Sequence, residues 1–576
     1  MKVIGLLLLF SLSLMSKNSE SAYMTIIFQG NKTVSTSELE AVVGAKRPSL
    51  LAFWKEKKAV IRGYLRPKLD KTFELFYKNE GFYDAIIAHK VINDIIVVQI
   101  KENRPIRIRE IIVQSDLDIN KSITLKEGKR FRAKDFTEMK RNLRKQLFLE
   151  GYCSPELNTK AYLDLESYDA TIKIDLKKQN LCYFGNVTIE SSSPTMSDDI
   201  ILSRLHFEEG DVFNIDKIKE SYESLYFLES FDQLNLDYSL NFYNHKPVKI
   251  TYKEVDKHIH ERMGIGYATD LKFQAQYHWE YKNFRGNGKK MLIDALFSKR
   301  QKILEHGFFV PNVFAISDYH IDFQNSVGFS EEQSIHNYDE RVTYEKLYFS
   351  HQSSRWYNSI GLGIANLDIF NGPEGVNGTS FLIYPFMKLV YDRRNSKLNP
   401  TKGLYFSHEM EYGLPYSPDS TSYVKYLEEI RAIYTLSDIT YSAVGTMGSI
   451  LVFENNMPES RKFFAGGAFS NRAYGYEQIG ITTSSTDIAE IGGFTMANLS
   501  LEANFPLYKS FKGAVFSDNT MISDNQGIWE FSNHIVHSAG LGFRYMTPLG
   551  PFKIDMGFNI NKTSENAVHF QVGQSF

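Results

Sequence analysis

Val568-His-Phe-Gln-Val-Gly-Gln-Ser-Phe576 decides the reading of this chain. Val568, Phe570, Val572 and Phe576 fall on one face of an extended strand, and His569, Gln571, Gly573 and Ser575 fall on the other. The segment upstream keeps the same period: Phe552, Ile554, Met556, Phe558 and Ile560 alternate with Lys553, Asp555, Gly557 and Asn559. Successive side chains of a strand point to opposite faces, so one face meets something apolar and the other is wetted. Ending such a strand on an aromatic residue predicts the closing strand of a β-barrel in lipid.

The same texture fills the second half of the chain. Phe273, Ala275, Tyr277, Trp279 and Tyr281 alternate with Gln274, Gln276, His278 and Glu280, and Leu499, Leu501, Ala503 and Phe505 alternate with Ser500, Glu502 and Asn504. About sixteen strands are expected from Ile259 onward, an even number as bacterial single-chain barrels have. A soluble β-sandwich also alternates, but here the face carrying Lys, Gln, His and Glu is read as the inside and the aromatic face as the outside. The 34 Tyr and 42 Phe would serve the aromatic belts of such a barrel. Mean hydropathy is −0.30, which a barrel tolerates because only half of each strand faces lipid. No apolar run reaches the ~20 residues of a spanning helix.

At 576 residues the chain is too long for one core. Lys2 followed by the apolar run Val3 to Met15, with small residues at Ser19 and Ser21, predicts a signal peptide over 1–21. Up to about Val255 the sequence repeats itself: Thr124-Leu-Lys-Glu-Gly-Lys-Arg-Phe131 is echoed by Leu205-His-Phe-Glu-Glu-Gly-Asp-Val-Phe213. Each unit reads as a strand, two helices and a strand pair, which is repeat architecture. The expected organisation is three α+β units at 22–102, 103–178 and 179–257, followed by a 16-stranded antiparallel barrel at 258–576. Cys153 and Cys182 both lie in the repeats, where an oxidising periplasm permits a bond, and two separate thiols are an equally good reading. A net charge of −2 argues against a nucleic-acid partner.

Four stretches carry a family resemblance. They are Tyr391-Asp-Arg-Arg-Asn-Ser-Lys-Leu-Asn-Pro-Thr-Lys-Gly403; Phe463-Phe-Ala-Gly-Gly467 with Asn471-Arg-Ala-Tyr-Gly-Tyr476; Leu501-Glu502 to Phe505-Pro506; and Gly540 to Asp555 with the terminal Phe576. Together they resemble the BamA/TamA superfamily of outer-membrane assembly proteins, and the repeats resemble POTRA domains. Three repeats look most like TamA. The resemblance implies a barrel in the bacterial outer membrane with POTRA units in the periplasm, and an extracellular loop that folds back into the lumen. Its anchor would comprise Gly466, Gly467, Arg472 and Tyr474, with Glu502 and Asp518 as acceptors. Ala473 stands where the family's loop motif has glycine.

The residues themselves support that assignment of Arg472. A loop in a polar lumen needs polar contacts, Glu502 lies on the polar face of its strand, and an arginine fork satisfies a carboxylate bidentately. Asp518 shares its parity with Ala514 and Phe516, a mixed face. Gly286-Asn-Gly288-Lys-Lys290 lacks the further residues of a phosphate loop and reads as a turn, and His258-Ile-His260 reads as a linker pair, not a metal site. No catalytic or zinc-binding spacing is found, so no enzyme, metal or cofactor is expected.

With no nucleotide site, the driving force is expected from the client's own folding. A weak seam between the first strand (about Ile259–Ala268) and the last (about Asn566–Phe576), loosened by Gly264, Gly266 and Gly573 beside Phe570 and Val572, would offer an edge to unfolded outer-membrane clients. The expected function is insertion or secretion of autotransporter-like or β-barrel clients. The resemblance also implies a TamB-like periplasm-spanning partner and contact with outer-membrane lipid. A two-partner secretion transporter and a component of phospholipid transport are the alternatives.

Overall fold

The computed structural model describes residues 23–572 apart from 48–57, 94, 193, 241, 270–271, 317–318, 334–337, 373–375, 398, 419, 482–490, 509–510, 530–534 and 548–549. The predicted signal peptide, Gly573 and Phe576 lie outside the described residues. The chain forms two compact units, Met1–Leu181 and Cys182–Phe576.

The first unit holds two α/β domains. In the first, Tyr23–Gln29 pairs in parallel with Ile95–Lys101. Helix Thr36–Val42 starts at a reciprocal cap: the Ser35 hydroxyl accepts from the Glu38 amide, and the Glu38 carboxylate accepts from the Ser35 amide. Leu39, Phe73, Tyr77 and Ile96 are fully buried beneath the sheet. A short strand, Ala59–Arg62, is added to the sheet beyond the repeat pattern.

In the second domain, helix Ala133–Leu149 buries Met139, Leu143 and Leu147, one face of a 3.6-residue period. The repeat predicts two helices in each unit, but here the first is reduced to the 3₁₀ turn Asn120–Ser122. The residues that follow are used elsewhere. Gly128 donates to the Ile108 carbonyl at 2.7 Å and Ile108 to that of Lys129 at 2.8 Å, so this stretch straps the edge of strand Arg107–Ser115. The two domains meet where Arg130 and Arg132 both reach Glu80, at 3.0 and 2.9 Å.

The second unit joins a third α/β domain to the barrel. This domain has both predicted helices, Asp198–Leu202 and Ile215–Tyr226, over strands Tyr183–Ser191, Phe231–Asp237 and His245–Glu254. Arg204, only 2% exposed, donates to Asp322 of the barrel wall. The Gly286-Asn-Gly288 segment is a turn with left-handed φ at Gly286, Asn287 and Gly288. It serves as the socket for this domain: Asn283 donates to Thr195 (2.9 Å) and Glu254 (2.7 Å), and the Ser197 amide to Asn287 (2.8 Å). His258, one of the linker pair, contacts the Lys282 carbonyl through Nδ1 at 3.1 Å. Neither Cys153 nor Cys182 is a free thiol.

Sixteen antiparallel strands, from Ile259–Ala268 to Asn566–Val572, close into a barrel. Exposure in it is inverted relative to a soluble protein. Leu499, Leu501, Val515, Leu541, Met556 and Val568 are exposed, while Asn498, Asp518, Thr520, Ser538, Asp555 and His569 are buried. The apolar face is therefore the outer one, and the polar face lines a lumen filled by the barrel's own side chains and an inserted loop.

Candidate functional site

The inserted loop, described at 455–481 and 491–494, lies between strands Ile439–Glu454 and Thr495–Tyr508. It is gripped at two places. On one limb, Arg461 Nη2 donates to both oxygens of Glu411, at 2.6 and 2.7 Å, and its guanidinium lies 5.1 Å from the centre of the Tyr384 ring. Lys425 donates to the Arg461 carbonyl at 2.8 Å.

On the other limb, Arg472 meets three strands of the facing wall. Its Nε and Nη2 form a fork on Asp518, both at 2.9 Å, and its own amide donates to the same carboxylate at 3.0 Å. Nη1 donates to Glu502 at 2.5 Å, and Asp555 stands 3.9 Å away. Arg544 completes the network, reaching Glu502 at 3.1 Å and Asp555 at 2.6 Å. Two guanidiniums thus share three carboxylates, with Lys553 beside Arg544 on the next strand. Asp518 is fully buried and Arg472 is 6% exposed. A charge so removed from water is tolerated only when paired and hydrogen-bonded.

The mixed parity of Phe516 now has a physical reason. Phe516 faces the lumen with Asp518, and the Arg472 guanidinium carbon lies over its ring, 3.5 Å from the centre. Neighbouring loop residues are fixed as firmly. Asn471 is fully buried, donating to Thr520 and the Val536 carbonyl at 3.2 Å while accepting from Ser538 at 2.6 Å. The Tyr474 hydroxyl donates to Glu565 and accepts from Asn559 at 2.6 Å. Gly466 and Gly467 take left-handed φ of 104° and 99°, and a Cβ on Gly466 would stand 2.5 Å from the Gly475 carbonyl oxygen. Ala473 has no left-handed φ, so its methyl fits without strain.

Asn471, Arg544, Asp555, Gly557, Asn559 and Glu565, like the whole Arg461–Glu411 grip, are absent from the sequence-based site. Asp555, Gly557 and Asn559 sit on the polar face of an alternating strand, but that pattern cannot tell a loop's partner from any other lumen residue.

At the seam, the first strand pairs along its whole length with Lys272–Tyr281. With the last strand, Tyr267 pairs with Val572 and Ala268 with Gln571, and the Thr269 amide donates to the Phe570 carbonyl at 3.1 Å; the last-strand residues after Val572 lie outside the described residues. Phe570 lies between Tyr267 and Phe552, with ring centres 5.8 and 5.1 Å away. Gly264 and Gly266 sit on the inward face of the first strand, opposite Gln276 and Gln274.

A closed sixteen-stranded barrel preceded by α/β repeats, with a long loop pinned inside it, is the build of an outer-membrane protein of one family. The chain belongs to the Omp85 superfamily, whose domain model matches residues 283–576. It is 22% identical to the outer membrane protein assembly factor BamA of Nitratidesulfovibrio vulgaris, over 95% of this chain and 72% of that one. To the BamA of Neisseria meningitidis serogroup B it is 20% identical, over 97% of this chain and 78% of that one. The crystal structure of Haemophilus ducreyi BamA lacking POTRA domains 1–3 superposes with a TM-score of 0.57 at 16% identity, covering 82% of this chain and all of that one. That share reaches beyond the barrel into the α/β domains, which resemble POTRA domains. The barrel lies in the outer membrane and the α/β domains in the periplasm.

Proposed function

We propose that this chain inserts or secretes outer-membrane client proteins by opening laterally between its first and last barrel strands. Membership of the superfamily and the relatives named as assembly factors support the general role of moving proteins into or across the outer membrane. The feature that supports the finer reading is the pair of inward-facing glycines, Gly264 and Gly266, on the first strand beside the seam, which add no side-chain packing there. Backbone groups left unpaired at a strand edge cannot remain so in hydrocarbon, and a client strand would satisfy them by edge pairing. The anchored loop, held at Arg461 and Arg472, would keep the remaining wall in shape while the seam parts. The clients would be unfolded autotransporter-like or β-barrel chains, handed over by the periplasmic domains together with a TamB-like periplasm-spanning partner.

A photo-crosslinking residue at Ile265, which is 75% exposed on the first strand, tests this in living cells. Adducts with outer-membrane or secreted proteins are expected. Adducts with lipid alone would overturn the protein-assembly reading in favour of lipid transport.

A further inference from the structure

His408 and Glu428 are cross-strand partners on the ninth and tenth strands, Gly403–Gly413 and Ser422–Leu436, with imidazole Nδ1 3.2 Å from the carboxylate. Their neighbours Glu411 and Lys425 hold the loop's Arg461 inside the lumen, so the odd-numbered positions of both strands face in. His408 and Glu428, on the even positions, face out. Their surroundings are those of a lipid-facing wall: Leu389, Phe406, Met410, Tyr426, Ile430 and Met447, with Ile430 50% exposed.

His408 is the central residue of its eleven-residue strand, so the pair lies near the middle of the bilayer. Ionisable groups on the lipid face are most destabilising at that depth, and in membranes they mark functional surfaces. A second outward pair, Asn325 with Glu345, is less anomalous. It is likewise central to its two fourteen-residue strands, but only Glu345 ionises, and it accepts from a neutral amide at 3.1 Å. Above His408 and Glu428 the outward neighbours on the two strands are Met410, Tyr412, Tyr426 and Val424.

Among the described residues, the second imidazole nitrogen and the second carboxylate oxygen of the pair have no partner, and both are accessible, the side chains being 22% and 43% exposed. A donor-acceptor residue and an acceptor side by side at nearly one depth are self-complementary. A two-fold axis along the membrane normal, passing between them, sets His408 of one molecule against Glu428 of the other and repeats the contact. Two outward positions further along the strand, the wall is hollow. Ala432, Ala443 and Ala503 floor a cavity of about 610 Å³ beside Tyr434 and Tyr441. Small side chains there let a second wall approach closely, as at helix contacts in membranes.

We propose that this face binds a second copy of the chain, forming a two-fold dimer in the membrane around His408 and Glu428. Strands nine and ten lie halfway round the barrel from the junction of strands sixteen and one, so both seams stay free.

The test uses the full chain in native outer membranes. Both natural cysteines are engaged, so one introduced cysteine supplies the free thiol. Under copper-phenanthroline oxidation, Ile430→Cys should give a disulfide-linked homodimer, while Leu541→Cys, outward on a strand near the seam, should not. No dimer from Ile430→Cys, equal dimer from Leu541→Cys, or adducts only with a different protein would overturn the proposal. In vesicles, fluorescence transfer between labelled copies should show His408→Glu weakening association roughly tenfold or more. Adding Glu428→His should restore it. Unchanged association in the single variant, or no restoration in a swap variant that still migrates as a folded barrel, would equally sink it.

Discussion

The carbonyl oxygen of Arg472 occupies the space that a side chain at Gly557 would need: a Cβ there would stand 2.3 Å from it. The loop backbone is seated in a gap one residue wide in strand Gly550–Asn559. Because the obstacle is backbone and not a flexible side chain, Gly557→Ala should unseat this limb at a cost of roughly 1–3 kcal/mol. Limited proteolysis of the folded barrel checks this. The loop should become cleavable in the variant and resist in the parent, and equal resistance would show that the gap is dispensable.

Removing the guanidinium should be worse than reshaping its seat. A wet lumen would hold the loss for Arg472→Ala to roughly 1–3 kcal/mol. With Asp518 fully buried and Arg472 nearly so, the larger range of about 3–5 kcal/mol applies, because a carboxylate is stranded. Arg472→Lys keeps the charge but neither the fork on Asp518 nor the guanidinium over the Phe516 ring, so it should recover less than half. The temperature at which the barrel loses its compact gel migration measures all three proteins. A lysine variant as stable as the parent would show that charge alone matters.

How far such features can be read from sequence depends on what makes them. The barrel was legible because inside and outside differ in polarity at every strand, so each of sixteen segments repeats one message. Arg472 was legible through its flanking motif. Phe516 was not, because alternation assigns an aromatic to lipid, and only the guanidinium lying on its ring explains why it turns inward. Gly557 carries no signal of its own, since a glycine in a strand can mean a bend, a packing gap or nothing. The Arg461–Glu411 grip joins residues fifty positions apart, and no local pattern connects them. The missing helix of the second domain was hidden for a similar reason: a strap pairing with Ile108 and a helix draw on the same kinds of residue.

Besides the Asn283 socket, a buried ion pair should fasten the third periplasmic domain to the barrel. Arg204 and Asp322 have side chains 2% and 5% exposed, and Asp322 also accepts from the Asn312 amide at 2.8 Å. Arg204→Ala should destabilise this junction by about 3–5 kcal/mol, whereas replacing both by apolar residues, Arg204→Met with Asp322→Leu, should be far milder. Hydrogen exchange across strands His245–Glu254 and Gln301–Ile316 reports the junction. If the double variant is as loose as the single one, the pair supplies more than mutual neutralisation.

Acid should loosen the first periplasmic domain at a definite place. Burial alone would raise the Glu102 carboxyl, but hydrogen bonds from Thr33 and Val34 outweigh it and hold the group below its usual range. A carboxyl lowered on folding contributes stability that is complete above its unfolded value, near 4.5, and is lost as pH falls through the folded value. The protection of the Thr33 and Val34 amides, taken relative to their intrinsic exchange rate at each pH, should therefore stay high at pH 7 and fall below pH ~4. Glu102→Gln should remove most of that dependence, and an unchanged acid profile in the variant would place its source elsewhere.

The seam prediction follows from register. Val572 stands opposite Tyr267, so the pair to bridge is Tyr267→Cys with Val572→Cys, and Ile265→Cys would sit two residues out of step. Directly opposed residues in an antiparallel ladder bring their Cβ atoms to about 4.5–5.5 Å, which small backbone shifts can turn into a disulfide. Neither natural cysteine is free to interfere. The locked barrel should fold and migrate like the parent, because the bond joins strands that are already paired. Client assembly should stop under oxidising conditions and return on reduction. Reversal by reductant separates a blocked seam from a damaged barrel, since a misfolded protein would not recover within the assay. If a quantitatively bridged protein assembles clients at the parental rate, the strands need not part and the lateral-opening mechanism is wrong.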